Sequence, residues 1–291
     1  QDSAISDITM SYTHTASTYA WASGVTTSST TLTTDWLSTA DTHLLSTAIG
    51  PSSEQAIAFS RNVSNYWVLA LMYEWNGVWT ETIIDNNPNS AHNPSIAIDR
   101  FGAVHIAYID TDNDILRYAT NASGQWALTS LGSATYDNDN HRGTAIVIHP
   151  VTNAVHIVAS TNDNAYRDLI HHTDETGSWV NTTITNTLSD EGHDPVMAMD
   201  SNGNIHVAYY CDDGCSDLRM SSRINGVWQN ETIAGNVASS GSNWNVGAQP
   251  DIAIDSQDTI HIVSNYVNNR RVYLHSGTPG SWTQTQLTTG S

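Results

Sequence analysis

The chain has 291 residues and a net charge of −20, and all nine of its basic residues are arginines. This charge excludes nucleic-acid binding, which needs a basic footprint, and disfavours adsorption to an anionic membrane. It favours metal ions and cationic partners. Because the sequence contains no run of about 18 apolar residues, we expect no membrane span.

Residues 1–50 are rich in Ser and Thr and form a segment of their own. Apolar residues alternate with polar ones at Ile5, Ile8, Met10 and Tyr12, which is typical of β-strands. Three interpretations stay open. The segment is a diverged copy of the repeat that follows, or it supplies a strand missing from that repeat, or it pairs with a neighbouring molecule.

A unit of about 50 residues repeats through residues 51–291. Each unit has an apolar run, a second run containing a histidine, a third run and a Gly-x-Trp segment. The repeated histidines are His105, His156, His206 and His261, and the matching tryptophans are Trp126, Trp179, Trp228 and Trp282. Turns such as Asn-Gly separate the runs, so each unit is predicted to form four short antiparallel strands.

Four-stranded units repeated in this way predict an all-β fold, a β-propeller, because one blade cannot bury both faces of its own sheet. Four units are complete, at 94–131, 144–184, 195–233 and 250–287. A fifth, at 55–84, has Gln55–Phe59 as its first strand but one long run at 65–75 where the others have two. That unit is therefore expected to lack a strand. Residues 51–291 are predicted to close a ring of five or six blades.

The repeat motifs resemble those of a known group of proteins. Ser95-Ile-Ala-Ile-Asp99, Ile205-His-Val-Ala-Tyr209 and Gly226-Val-Trp228 are similar to the extracellular propeller repeats of bacterial and archaeal secreted and surface proteins. They are loosely similar to the BNR repeats of sialidases. The resemblance covers about 55–287 and implies the propeller fold and an extracellular location. The Asp-box of BNR repeats is absent, so sialidase activity is not implied.

Acidic loops are predicted to gather on one face of the ring. In an up-and-down blade, the connections between blades and the loops between second and third strands emerge on the same side, here named the loop face. Its segments are 110–114, 137–141, 190–194, 211–215 and 234–249. Loops on a rigid scaffold usually carry the residues that bind ligands, so a glycan or protein partner is expected on this face.

A calcium site is one hypothesis for the loop face. Asp110, Asp112 and Asp114 match the start of a calcium loop, and Asp137 and Asp139 would add oxygen ligands. The glycine and terminal glutamate of an EF-hand are missing, so the segment is not an EF-hand. The alternative is a solvated turn with Asx caps.

Four residues are candidate ligand-binding residues. His92 and His193 precede the first strands of their blades, Glu191 lies in the same loop as His193, and Trp244 lies in the longest connection between blades. An exposed tryptophan stacks on sugars or anchors an interface, and the alternative for Trp244 is a lid over a blade edge. The repeated histidines and tryptophans are interpreted as structural, because they occur in every blade.

Covalent features point to an oxidising compartment. Cys211 and Cys215 are predicted to form a local disulfide that closes a turn. Sequons for N-glycosylation occur at Asn62, Asn121, Asn181 and Asn230.

The function predicted from these features is binding without catalysis. The protein is expected to be an extracellular or cell-surface adhesion or lectin-like module, or a subunit of a filament or surface layer that assembles through residues 1–50. The alternative is a secreted glycoside hydrolase or lyase, for which Glu54 and Glu191, both expected on the loop face, are the candidate carboxylates. No motif supports catalysis, so binding is preferred.

Overall fold

The computed structural model describes residues 8–12, 28–33, 45–134, 143–162, 167–185, 187, 191–212, 215–235, 246–266 and 271–288, with backbone alone at 8–12, 28–33, 162 and 167. All regular secondary structure in these ranges is β-strand. None of the described residues forms a helix long and apolar enough to cross a membrane.

Twenty strands form five four-stranded antiparallel sheets, and two more form a hairpin of β1 (Ile8–Tyr12) and β2 (Ser28–Thr33). The sheets, in chain order, are blade 1 with β3 (Leu45–Ile49), β4 (Gln55–Val63), β5 (Tyr66–Trp75) and β6 (Val78–Asp85); blade 2 with β7 (His92–Ile98), β8 (Val104–Asp110), β9 (Ile115–Thr120) and β10 (Ala127–Ser133); blade 3 with β11 (Thr144–Ile148), β12 (Val155–Asn162), β13 (Arg167–Thr173) and β14 (Val180–Thr183); blade 4 with β15 (Glu191–Met199), β16 (Ile205–Cys211), β17 (Asp217–Ile224) and β18 (Val227–Ala234); and blade 5 with β19 (Val246–Ile254), β20 (Ile260–Tyr266), β21 (Arg271–Thr278) and β22 (Ser281–Gln286).

The predicted propeller is confirmed, with five blades in the described part of the chain. The first strands β3, β7, β11, β15 and β19 contact one another in chain order and line a central channel of about 350 Å³. In each blade the remaining strands follow outward in sequence, which is the up-and-down order expected from the short turns.

Blade 1 has all four strands, so the expectation that its unit lacks a strand is wrong. Gln55–Phe59 belongs to the second strand, and the first strand is Leu45–Ile49, which pairs with β4 from Leu45 opposite Phe59 to Ile49 opposite Gln55. The blade therefore lacks no strand, and the end of the Ser/Thr-rich segment supplies the one that the repeat pattern missed. A neighbouring molecule is not needed to complete this sheet.

The core lies between the blades. Separate apolar clusters join blades 1 and 2, 2 and 3, 3 and 4, and 4 and 5. The tryptophan at or just before each fourth strand packs on the cluster shared with the preceding blade, which supports the structural interpretation of Trp126, Trp179, Trp228 and Trp282.

The repeated histidines tie strands together inside the blades. His105 Nδ1 lies 2.5 Å from Tyr118 Oη, and its Nε2 lies 3.4 Å from Asp99 Oδ2. His206 bridges Ser222 and Asp200 in the same manner, at 2.9 and 3.6 Å. These contacts support the structural interpretation, because each ring lies between a hydroxyl group of the third strand and an aspartate just after the first strand.

The topology also places Glu54. It lies in the turn between β3 and β4, on the same side as the β7–β8 turn, where a Cβ on Gly102 would meet Glu54 Oε1 at 3.4 Å. This side, where first-to-second-strand turns emerge, is named the turn face. Glu191 begins β15 at the opposite, loop face, so the expectation that both carboxylates share one face is wrong.

Candidate functional site

One position on the second strand differs between blades 2 to 5, and in blades 2, 3 and 4 it belongs to the cluster shared with the preceding blade. The position is three residues after the repeated histidine, and it pairs with one residue of the third strand. The pairs are Tyr108 with Arg117, Ala159 with Ile170, Tyr209 with Arg219, and Ser264 with Tyr273.

The cleft between blades 1 and 2 is filled by a polar network. Tyr108 is fully buried and donates to Asp85 Oδ2 of blade 1 at 2.9 Å. Arg117 donates to Asp110 Oδ2 from Nε and Nη2 at 2.8 and 2.6 Å. Burial raises the pKa of Tyr108, and the neighbouring Asp85 carboxylate raises it further, so the phenol stays a donor.

The cleft between blades 3 and 4 is filled in a similar way. Arg219 binds Glu191 Oε1 and also lies 3.6 Å from Asp217 Oδ2. Burial raises the pKa of Glu191, and the Arg219 guanidinium opposes that rise. Tyr209 is fully buried beside this pair and accepts a hydrogen bond from Ser221.

Between blades 4 and 5 there is a cavity. Ser264 replaces the tyrosine, Tyr273 replaces the arginine, and a cavity of about 470 Å³ remains. We name it the 4/5 cleft. Its lining residues are Ile233, Ala234, Gly235, Val246, Tyr266, Arg271, Tyr273, His275, Trp282 and Gln284. The volume lies within the range of small-molecule sites.

Three aromatic rings form the walls of the 4/5 cleft, and hydrogen bonds fix them. The rings of Tyr266 and Tyr273 lie 4.1 Å apart between centroids. Gln284 Nε2 donates to Tyr266 Oη at 2.6 Å, and Trp282 Nε1 donates to Glu231 Oε2 at 3.2 Å. Such preorganised rings offer a stacking surface at little entropic cost.

The polar groups of the 4/5 cleft are mostly neutral. Burial lowers the pKa of His275 to about 4, so its imidazole is uncharged at neutral pH, and burial raises the pKa of Tyr266 to about 12. Among the described residues that line the cleft, Arg271 is the charged one. Aromatic walls with neutral donors and acceptors suit a ring-shaped ligand that has one apolar face and hydroxyl groups at its edge.

The histidines predicted to bind ligand are not in this cleft. His92 and His193 both lie in bulged parts of first strands, and their side chains are buried. The ring of His193 lies 6.1 Å from that of Tyr210, within its own blade. Trp244 lies outside the described residues.

The acidic candidates are engaged in the protein's own contacts. Glu191 binds Arg219 as above. Asp110 is buried and bound to Arg117 and Asn113, whereas Asp112 accepts from Asn89 at 3.1 Å. No group of three metal-ligating side chains is found among the described residues. Asp114 has a positive φ of 51°, and Asp137 and Asp139 lie outside the described residues, so the calcium site stays a prediction.

The disulfide between Cys211 and Cys215 is confirmed, with a Cα–Cα distance of 5.8 Å. Of the sequon asparagines, Asn181 and Asn230 are exposed on fourth strands, and Asn62 lies on β4. The Oδ1 atom of Asn121 accepts from Val104 N at 2.7 Å. Glycosylation stays a prediction at all four.

The comparisons with known proteins agree on the architecture. No family model and no curated protein matches the chain. A solved structure of a protein of unknown function from Dyadobacter fermentans is 10% identical, with a TM-score of 0.59 over 86% of this chain and 83% of that one. The Aleuria aurantia lectin in complex with alpha-methyl-L-fucoside is 12% identical, with a TM-score of 0.54 over 84% and 78%.

An alpha-L-arabinofuranosidase from Fusarium graminearum is 12% identical, with a TM-score of 0.52 over 82% of this chain and 79% of that one. At such low sequence identities the structural similarity shows the fold alone, and that fold is a β-propeller. The comparisons give no support to BNR-type repeats beyond that fold.

Proposed function

We propose that this propeller is a carbohydrate-binding protein whose sugar site is the 4/5 cleft. The observation that carries the proposal is the cavity walled by Tyr266, Tyr273 and Trp282, in the blade that has Ser264 where blades 2 and 4 have Tyr108 and Tyr209. Aromatic faces stack on the C–H face of a sugar, while Gln284 and His275 supply polar edges. The solved lectin with a bound fucoside has the same fold, which is consistent with this use.

The first test is to close the cleft. Ser264→Tyr introduces the tyrosine that the 1/2 and 3/4 clefts have at this position, and it is expected to abolish glycan binding without loss of stability, because that side chain fits at Tyr108 and Tyr209. Tyr273→Ala is expected to weaken binding about tenfold by removing a stacking wall. The measurement is a glycan array followed by calorimetry, with Tyr66→Ala on exposed blade 1 surface as the control. Unchanged binding in Ser264→Tyr would rule out this site.

The proposal includes binding without catalysis. Hydrolysis of a glycoside needs two carboxyl groups on either side of one bond, roughly 5–10 Å apart. Glu54 and Glu191 lie on opposite faces of the propeller. Glu54 accepts a hydrogen bond from the Ser52 amide, and Glu191 binds Arg219, so each carboxylate is held within its own blade. A glycosidase activity that disappears in Glu191→Gln would restore the enzyme alternative.

We also propose an extracellular location, supported by the disulfide, because such bonds persist in oxidising compartments. Adhesion to a glycan-bearing surface follows from sugar binding. Assembly into filaments through residues 1–50 is a separate hypothesis, and electron microscopy of the purified protein would test it. Since β3 completes blade 1 within the chain, such assembly would have to use another edge.

A further inference from the structure

The ring of five described blades has a gap between blade 5 and blade 1. All five first strands, from β3 to β19, line the same central channel. Each first strand is in extensive contact with the next one along the chain, whereas β19 and β3 are not in such contact with each other. Apolar clusters likewise join consecutive blades, and among the described residues none joins blade 5 to blade 1. The described blades therefore form a ring that is open at one place.

The face of blade 1 at this gap is apolar and buried. Ile57, Phe59, Ala70 and Met72 lie on the side of the sheet opposite blade 2, and each is no more than 4% exposed. Each of the other clusters takes residues from two blades, but this one takes all its residues from blade 1. The apolar face of a sheet is buried by packing against another element, because side chains on one face stand side by side and leave their tips open. Another segment must therefore cover this face.

Trp79 indicates what kind of element that cover is. It pairs with Glu74 in blade 1 as Trp228 pairs with Arg223 in blade 4, so the two tryptophans hold the same position. In blades 2 to 5 the tryptophan at this position packs on a cluster shared with the preceding blade. Trp79 packs on the buried face of blade 1. By the rule of the repeat, this face is built to receive a preceding blade.

The face of blade 5 on the other side of the gap has the residues of a blade interface as well. Val263 and Leu274 pair across β20 and β21 at the positions where Ala208 and Met220 pair across β16 and β17. Ala208 and Met220 are fully buried against blade 5, whereas Val263 and Leu274 are partly exposed. Two apolar faces therefore flank the gap, and the one on blade 1 is the more deeply buried.

The chain has a segment of suitable length and place for this gap. Residues 1–44 come directly before β3, and the blades follow one another around the ring in chain order. This length is close to the repeat of about 50 residues. Along β1 the apolar residues Ile8, Met10 and Tyr12 alternate with polar ones, the pattern of a strand with one apolar face. The hairpin of β1 and β2 needs such a contact, because an isolated two-stranded hairpin is at best marginally stable in water.

We propose that residues 1–44 occupy the gap of their own chain in place of a sixth blade, and that they pack on Ile57, Phe59 and Met72 of blade 1. Their own chain is favoured over a second copy, because the segment runs straight into β3 at Leu45 without a linker. The proposal gives the Ser/Thr-rich segment a place inside the propeller and is independent of the sugar site.

The first experiment measures amide hydrogen exchange of the hairpin in the full chain. Amides of β1 and β2 are expected to be protected in the parent. Phe59→Asp places a charge on the buried face of blade 1 and is expected to speed their exchange at least about tenfold, while the amides of β16 stay protected. Leu128→Asp, at an exposed position of β10, is the matched control and is expected to leave the hairpin unchanged. Free exchange of the hairpin in the parent, or equal protection in the parent and Phe59→Asp, would overturn the proposal.

A second experiment does not depend on a core variant and identifies the occupant. A site for a sequence-specific protease is placed between Thr33 and Leu45 of the full chain and cut after folding. Size exclusion with light scattering is expected to show the N-terminal piece still bound to a ring of monomeric mass. Immediate release of the piece would show that it does not pack in the gap. A parent that is dimeric or larger and falls to monomers on cutting would also overturn the proposal, because a second copy would then supply the segment.

Discussion

At the scale of single residues, the buried tyrosines of the filled clefts contribute different amounts of stability. Tyr108 donates to the buried carboxylate of Asp85, whose Oδ1 accepts from Asn87 instead. Tyr209 has a neutral partner, Ser221, at 3.3 Å. A hydrogen bond to a buried charge is worth more than one between neutral groups, because the unpaired charge keeps its desolvation penalty.

We therefore expect Tyr108→Phe to lower the free energy of unfolding by about 1.5–3 kcal/mol, because Asp85 Oδ2 loses its donor. Tyr209→Phe serves as the matched control and is expected to cost about 1 kcal/mol or less. Urea denaturation of both variants measures the difference. If the two variants lose equal stability, the charge of Asp85 has no special role in this cleft.

At the residue scale, the sequence indicates the structural residues of the blades but not the residues of the candidate site. The repeated histidines and tryptophans could be predicted because one spacing recurs in every blade. Tyr266, Tyr273 and Trp282 were missed because each fits the ordinary pattern of a blade strand. The available signal was Ser264 together with Tyr273, since blades 2 and 4 have a tyrosine and an arginine at these two paired positions, and the signal acquires meaning once the facing blade is known.

At the scale of elements, blade 3 differs from its neighbours in how its histidines are paired. Blades 2, 4 and 5 place an aspartate beside the repeated histidine, whereas blade 3 has His149 at that position in the sequence. His156 Nδ1 instead lies 3.1 Å from His171 Nε2, and the two rings stack. Two imidazoles at this distance share one proton between their nitrogens and cannot both be cationic without repulsion.

The histidines of blade 3 are expected to make the protein sensitive to acid. Burial lowers the pKa of His156 to about 4, of His171 to about 3 and of His172 to about 4. Below an unfolded pKa of about 6.5 the unfolded chain binds protons that the folded chain does not, so stability falls with pH from there to about 4. Between pH 6.5 and 5 one such histidine lowers the free energy of unfolding by about 2 kcal/mol.

The measurement for this prediction is the urea midpoint from pH 7.5 to 5.0 in the parent and in His171→Gln. The variant is expected to lose less stability over this range, because one buried imidazole that resists protonation has been removed. An identical pH profile in both proteins would show that the acid sensitivity originates elsewhere.

The sequence predicts the strands of the blades, except for β3, whose composition hides its strand pattern. β3 reads Leu-Ser-Thr-Ala-Ile, and its residues alternate between exposed and half-buried, so it lacks the apolar density of the other first strands. Its Ser/Thr content matches that of the segment before it, so the repeat pattern in the sequence begins only after this strand. That displacement by one strand also moved Glu54 to the wrong face, because each strand added reverses the direction of the chain.

At the scale of the whole molecule, the two terminal blades have unlike outer faces. Blade 1 carries a buried cluster of Ile57, Phe59, Ala70 and Met72 on the side opposite blade 2, with Trp79 packed against it. Trp79 has the same place in its blade as the tryptophans that pack towards a preceding blade elsewhere. The outer face of blade 5, with Val263, Val272 and Leu274, is partly exposed instead.

The core of this fold is divided among several interfaces between blades. The difference in burial therefore predicts that the two outer faces contribute unequally to the free energy of unfolding. Phe59 is 2% exposed, so Phe59→Ala is expected to cost about 3–5 kcal/mol through lost burial and the cavity that remains. Leu274→Ala is expected to cost about half as much, because its side chain keeps contact with water. Calorimetric melting of both variants measures this. Equal losses would mean that the outer face of blade 5 is as tightly packed as that of blade 1, and that the ring has no weaker side.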